Sequence, residues 1–168
     1  MSNPTVLIVM GSDSDLPTME ETAKILKEFG VPFEMRISSA HRSPQRTAQL
    51  AHDAADRGIK LIIAAAGMAA HLAGVVAAET TLPVIGVPMG GGPLSGMDAL
   101  YATVQMPGGI PVATMAIGKA GAKNAGLFAV QILSLTDREL RDKFASYRAQ
   151  MAVEVEQKDA ALQSKLSQ

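Results

Sequence analysis

Thr5-Val-Leu-Ile-Val-Met-Gly-Ser-Asp-Ser-Asp15 is the stretch on which the fold turns. From Thr5 to Met10 the hydrophobic run is continuous rather than alternating, as expected of a strand buried on both faces. Gly11 to Asp15 is a polar turn, and Pro17 follows where a first helical turn tolerates it. Met19, Ala23 and Leu26 give that helix an apolar stripe, and Gly30 is its stop. A buried strand leading into an amphipathic helix is the repeating unit of a parallel sheet with helices on both faces.

The unit recurs along the chain. Phe33, Met35 and Ile37 alternate as a second strand, and Ser39-Ala-His-Arg-Ser43 is the next loop. Ser43 suits an N-cap and Pro44 a first helical residue, and this helix is expected to run to about Arg57, with Gly58 as its stop. Leu61–Ala66 is the third strand, Gly67 and Met68 its loop, and a small-residue helix runs to about Glu79. Pro83–Val87 is the fourth strand, followed by a Gly-rich loop from Pro88 to Gly96 and a helix through Leu100 and Tyr101. Val112–Ile117 is expected as the fifth strand and Lys123–Leu133 as its helix. Five such units predict an α/β fold, a three-layer αβα sandwich on a five-stranded parallel sheet. Ligands of such sheets bind beyond the carboxyl ends of the strands, and the unusual residues here all lie on loops at that edge.

Thr136-Asp-Arg-Glu139 is a capping box that opens a long C-terminal helix. Leu140, Phe144, Tyr147, Met151 and Val155 form an apolar stripe along it. The stripe fits packing on its own domain or on a neighbouring subunit; the five-stranded unit looks complete without it, which favours the neighbour. The expected organisation is a single domain over 1–168, with the α/β catalytic core over 5–135 and the helix over 136–168 as an oligomer contact.

Composition narrows the function. With 15 basic and 16 acidic residues the net charge is −1, so no basic surface marks a nucleic-acid or membrane partner. There is no Trp, and aromatic residues make up 4%, which leaves few stacking platforms for bases or flavins. Cysteine is absent, so thiolate chemistry is excluded; this fits a reducing compartment. No signal peptide is read at Met-Ser-Asn-Pro4, and the chain is expected to be cytoplasmic. Leu61–Ala78 carries no formal charge over 18 residues, but it is mostly Ala and Gly with His71 inside, and reads as a buried strand and helix rather than a membrane span.

The turn from Gly11 to Asp15 reads in two ways. Backbone N–H groups at a helix start make a phosphate seat, with Gly11 admitting close approach and Ser12 adding a hydroxyl. It reads equally as a plain N-cap turn. Asp13 and Asp15 would repel phosphate, so at least one should face ribose hydroxyls or cap the helix. No Walker pattern and no dinucleotide fingerprint follows a strand. Of the three His, His52 falls within a helix and reads as solvated or packing, whereas His41 and His71 lie on the ligand edge. Imidazole exchanges protons near neutral pH, and the guanidinium of Arg42 suits a phosphate or carboxylate. Position alone leaves His41 divided between a structural and a chemical role. Gly67 and Gly90-Gly-Gly92 supply small residues where a ligand meets backbone, or are ordinary tight turns. With no Cys and no two His at ligand spacing, no metal is expected.

Six motifs in order carry a family resemblance: Gly11-Ser-Asp-Ser-Asp15, Ser39-Ala-His-Arg-Ser-Pro44, Ala69-Ala-His-Leu72, Leu94-Ser-Gly-Met-Asp98, Gln105-Met-Pro107 and Ala116-Ile-Gly-Lys-Ala120. Over about residues 5–148 the chain resembles the N5-carboxyaminoimidazole ribonucleotide mutases, the PurE family of de novo purine synthesis. The resemblance implies a flavodoxin-like fold, a homo-octamer, and movement of a carboxylate from an exocyclic nitrogen to ring carbon 4 without cofactor. It implies that Ser12, Asp15 and Arg42 hold the ribose phosphate of the nucleotide substrate. It makes His41 the general acid/base, which protonates the nitrogen as CO2 leaves and later takes up the carbon-4 proton. It puts His71 and its small neighbours around the trapped CO2. Further substrate contacts are implied at Gly11, Ser39, Ala40, Gly67, Ala69, Leu72 and Ser95.

The chain departs from the family pattern in a few places. Ala65 and Met68 stand where the family usually has Gly, and Ala73 where it usually has Pro; the Gly90-Gly-Gly92 loop is also unusual. Met68 is expected to narrow or reshape the CO2 pocket. Two rival readings remain: a sister enzyme that carboxylates aminoimidazole ribonucleotide directly with CO2, and a non-enzymatic flavodoxin-like module for a flavin or nucleotide. The Ala-Ala-His71-Leu motif favours the mutase, and the few aromatics count against flavin.

Overall fold

The computed structural model describes residues 3–167. Five parallel strands form the sheet: β1 (Val6–Met10), β2 (Phe33–Ile37), β3 (Leu61–Ala66), β4 (Val84–Pro88) and β5 (Ala113–Thr114), in the order β2-β1-β3-β4-β5. The helices are α1 (Leu16–Phe29), α2 (Pro44–His52), α3 (Leu72–Ala78), α4 (Met97–Val104), α5 (Lys119–Ser134) and α6 (Arg138–Leu166). The expected α/β sheet is present, and β1 lies inside it with all five residues buried.

Strand pleating divides β1 between two layers. Leu7 and Val9 pair in register with Ile62 and Ala64 of β3, and all four belong to one core cluster with Ala51 of α2 and Leu72, Ala73 and Val76 of α3. On the other layer α1 packs against the first half of α5. There the buried Thr22 hydroxyl donates to the Ala122 carbonyl at 2.6 Å, and a Cβ on Gly126 would stand 2.9 Å from Ile25 Cβ. Gly86 sets the approach of α4 to β4: a Cβ there would lie 2.4 Å from Thr103 Cγ2 and 2.9 Å from Val112 Cγ1.

Several boundaries differ from the sequence reading. α2 stops at His52 rather than near Arg57, because the chain tightens into turns that bury both Ala51 and Ala54. β5 has two residues rather than six. It is an edge strand behind Pro111, which lacks an N–H, and Met115 and Gly118 still donate to β4 at 2.8 and 2.9 Å in irregular backbone. α5 begins at Lys119, earlier than expected. The last helix is capped by Asp137, not Thr136: the Asp137 carboxylate accepts from Leu140 N at 3.0 Å, while the Thr136 hydroxyl turns back to the Leu133 carbonyl.

The chain divides between Ala129 and Val130 into two compact units, a boundary inside α5. In the second unit Arg141 donates to the Ser134 and Leu135 carbonyls, which satisfies the end of α5 as α6 begins. α6 has no buried residue; Met151 and Val155 of its stripe are 41% and 65% exposed.

Candidate active site

Loops leaving β1, β2, β3 and β4 line one cavity of about 520 Å³. It lies where the strand order reverses, between β1 and β3. Of the residues expected from the sequence, Gly11, Ser12, Asp15, Ser39, Ala40, His41, Arg42, Gly67, Ala69, His71 and Leu72 all line it. Ser95 does not: it is exposed, at φ 52°, and its N–H reaches the Gly92 carbonyl.

The β1 loop is a capped turn. Ser12 caps a 3₁₀ turn over Asp13–Asp15, its hydroxyl accepting from Ser14 N at 3.3 Å while the Asp15 carboxylate accepts from Ser12 N at 3.2 Å. The hydrogen bonds of an N-cap turn are therefore present, and Asp15 is the acid that makes them. Burial raises the Asp15 carboxyl above its ordinary value; the Ser12 N–H opposes this, and the neighbouring charge of Asp13 adds to it.

The β2 loop is tied to itself. Ser43 stands at the N-cap of α2 but its hydroxyl does not cap the helix; it accepts from Ser39 N at 3.0 Å and donates to the Ser39 carbonyl at 3.1 Å. Arg42 N donates to the Ser39 hydroxyl at 3.2 Å, and the Arg42 guanidinium donates to the Gly11 carbonyl at 3.3 Å. The knot presents His41 and Arg42 to the cavity. A neighbouring cleft of about 500 Å³ is lined by Ser12, Ser39, Arg42, Ser43 and Arg46 among others. Arg46 is not singled out by the sequence; its signal is a place one helical turn beyond Arg42.

The β3 loop carries the strained residue. Met68 adopts φ 55°, left-handed backbone that costs a non-glycine residue about 1–2 kcal/mol, and is 59% exposed. A Cβ on Gly92 would stand 3.5 Å from Met68 Cγ, so the methionine reaches toward the β4 loop. That loop contributes Met89, Gly90, Gly91 and Gly92 to the wall. Ser14, Ala66 and Met89 also line the cavity and escape the sequence reading; their signal is only that they sit at strand ends or in the first turn.

His71 stands at the N-cap position of α3 without capping it. Its ring meets His41 instead: His41 Nε2 is 2.8 Å from His71 Nδ1, with the rings nearly perpendicular at 78°. His52, by contrast, ends α2 beside Asp53 at 3.3 Å and takes no part. Among the described residues no group of three or more His, Cys, Asp or Glu is placed to hold a metal ion.

An open parallel sheet thus brings two imidazoles, a guanidinium and a capped Ser-Asp turn together at its switch point, where sheets of this class bind small molecules. A family model described as AIR carboxylase matches residues 5–154, and the chain belongs to that family. It is 53% identical to the N5-carboxyaminoimidazole ribonucleotide mutase of Pyrococcus horikoshii over 95% of this chain and 89% of that one. It is 57% identical to the protein of the same name from Bacillus subtilis, over 86% of this chain and 90% of that one. Among solved structures it is similar to PurE of Treponema denticola, with a TM-score of 0.84 and 35% identity over 95% of this chain and 98% of that one.

Proposed function

We propose that the chain is an N5-carboxyaminoimidazole ribonucleotide mutase, an isomerase of purine biosynthesis that yields 4-carboxyaminoimidazole ribonucleotide. The observation that carries the reading is the convergence of His41, His71, Arg42, Ser12 and Asp15 on one cavity in a chain more than 50% identical to proteins of that name.

Arg42 and the Ser12 turn hold the ribose phosphate by charge-assisted and backbone hydrogen bonds. His41 donates a proton to the carbamate nitrogen, and the N–C bond breaks to give the free amine and CO2. The CO2 stays among the small residues of the β3 and β4 loops. Ring carbon 4 attacks it, and the carbon-4 proton returns to His41, so the enzyme ends in its starting state. The physical task is to place one proton and to keep CO2 from escaping. The protein acts as a homo-octamer in the cytoplasm, without cofactor. The subunit contact is supported by the exposed Met151 and Val155 at the outer end of the α6 stripe, and among the described residues no helix is long and apolar enough to cross a membrane.

The family model's description favours a second reading, direct carboxylation of aminoimidazole ribonucleotide. Turnover separates the two. Rapid conversion of the carbamate without added bicarbonate is expected. Conversion of aminoimidazole ribonucleotide with bicarbonate, and none of the carbamate, overturns the proposal.

A further inference from the structure

Two buried hydroxyls stand behind the loop that carries His41 and Arg42, and neither lines the main cavity. Ser38 follows β2 and stays tied to the sheet, its N–H donating to the Met10 carbonyl at 2.8 Å. Thr47 lies in α2. Ser38 is 2% exposed and Thr47 0%. Their hydroxyl oxygens are 2.8 Å apart, and either can be the donor. This bond joins the end of a strand to a helix and closes the base of the segment between them.

The link continues into the loop. The Thr47 hydroxyl donates to the Ser43 carbonyl at 3.2 Å, and the Ser43 hydroxyl donates to the Ser39 carbonyl at 3.1 Å. The backbone N–H groups of Thr47 and Ser43 donate to the same two carbonyls at 3.1 and 2.9 Å. A return to the carbonyl four residues back is ordinary for Ser or Thr near a helix start. Here two successive returns are joined through Ser38, whose hydroxyl also lies 3.4 Å from that of Ser43. The carbonyls that receive them bracket His41 and Arg42. Water does not reach Ser38 or Thr47, so deleting one hydroxyl leaves the other short of a partner that solvent cannot replace.

We propose that Ser38 and Thr47 are positioning residues, a buried hydroxyl clasp that fixes the loop from Ser39 to Ser43 and so presents His41 and Arg42 to the cavity as one unit. The clasp rests on the mutase reading only for what those two side chains then do. The acid/base and the phosphate ligand are adjacent residues of one segment, so a shift of that segment displaces both. A misplacement of about 1 Å can cost about a hundredfold in rate. Loss of the clasp therefore lowers kcat and raises KM in the same variant, although neither residue touches substrate.

Thr47→Val keeps the shape of the side chain and removes its hydroxyl. It should lower kcat on the carbamate by roughly tenfold and raise KM by roughly threefold or more, measured well below its Tm. Thr47→Ser restores the hydroxyl and should bring both constants back to within about twofold of the parent. Thr22→Val is the control: Thr22 is as deeply buried and also donates to a carbonyl, that of Ala122 at 2.6 Å, but in the opposite layer. It should lose Tm and leave kcat and KM alone. If Thr47→Val behaves as Thr22→Val does, the hydroxyls only hold the fold and the proposal fails. It fails too if Thr47→Ser does not restore activity. Should Thr47→Val not fold, Ser38→Ala decides. That variant removes the strand end of the clasp but leaves Thr47 the Ser43 carbonyl, so kcat and KM should move in the same directions by a smaller factor; unchanged constants overturn the clasp. Amide hydrogen exchange gives a readout independent of turnover. The N–H groups of Arg42 and Ser43 should exchange roughly tenfold faster in Thr47→Val than in the parent, and at the parent rate in Thr22→Val. Equal rates in the two variants overturn the proposal. Failure of the unaltered protein to convert the carbamate rejects the mutase reading and leaves the exchange rates to decide on the clasp.

Discussion

The guanidinium of Arg42 donates to the carbonyl of Gly11 at 3.3 Å, so the loop after β2 is fastened to the loop after β1 across the sheet edge. In the proposed mutase the two loops that would hold the phosphate are thus joined before substrate arrives. On that reading Arg42→Ala removes both a charge-assisted hydrogen bond to the substrate and this tie. Such a bond contributes about 1.5–3 kcal/mol, so KM should rise roughly 10- to 100-fold with a smaller change in kcat. Arg46→Ala, in the neighbouring cleft, should raise KM less. Steady-state kinetics at fixed ionic strength checks both, and an unchanged KM for Arg42→Ala removes it from the phosphate site.

His41→Asn should keep substrate affinity within a few-fold and lower kcat by at least about a hundredfold, the usual contribution of a positioned acid/base. Isothermal binding of product and single-turnover rates separate the two effects. Near-normal turnover would take the proton transfer away from His41.

Met68 offers a test of the pocket wall. Met68→Gly relieves about 1–2 kcal/mol of left-handed strain but gives back about 0.5–1 kcal/mol through the freer unfolded chain. Its stability should therefore lie between that of the parent and about 1.5 kcal/mol above it, whereas Met68→Val, β-branched at φ 55°, should lose stability. Chemical denaturation checks this. Because Met68 reaches toward Gly92 across the wall, Met68→Gly should also release more aminoimidazole ribonucleotide per turnover as CO2 escapes. Unchanged by-product would show that the methionine plays no part in retaining it.

Asp15 links the site to pH. Its carboxyl is raised in the folded protein, chiefly by burial, so the folded state holds the proton more tightly than the unfolded chain. This group stabilises the fold fully below the ordinary carboxylate pKa, and that contribution is lost as pH rises through the raised value. Asp15→Asn, which keeps an acceptor for Ser12 N, should therefore gain Tm relative to the parent at pH 7 and gain little near pH 4. A Tm difference that is the same at both pH values would contradict the direction of the shift.

Truncation after Arg148 removes the outer part of α6, including Met151 and Val155. Light scattering should then report a smaller or weaker oligomer. An unchanged mass would exclude that segment from the subunit contact.

The sheet is largely legible in the sequence because β1, β3 and β4 are continuous apolar runs bounded by Gly, Pro or polar turns. β5 is not, since an edge strand flanked by Pro111 and Gly118 needs few buried residues and little regular pairing. The cap of α6 is misread because Thr136 and Asp137 are both good caps, and only the hydrogen bonds decide between them. His41 and His71 are each legible as loop residues. Their contact is not, because it depends on β2 and β3 flanking β1, and strand order is not written in the periodicity of any one segment. The resemblance to PurE supplies the chemistry that periodicity lacks, yet it too is silent on the rotamers that bring two rings to 2.8 Å.

Gly86 has a consequence for anyone who would redesign this scaffold. With Thr103 and Val112 already filling the space beside its Cα, a saturation library at this codon should return glycine almost alone among folded clones. The β3 and β4 loops offer Gly90, where a Cβ has room, and two residues held in left-handed backbone, Met68 and Ser95. Variation that changes what the cavity accepts is therefore far easier to obtain from those loops than from the strand that carries one of them.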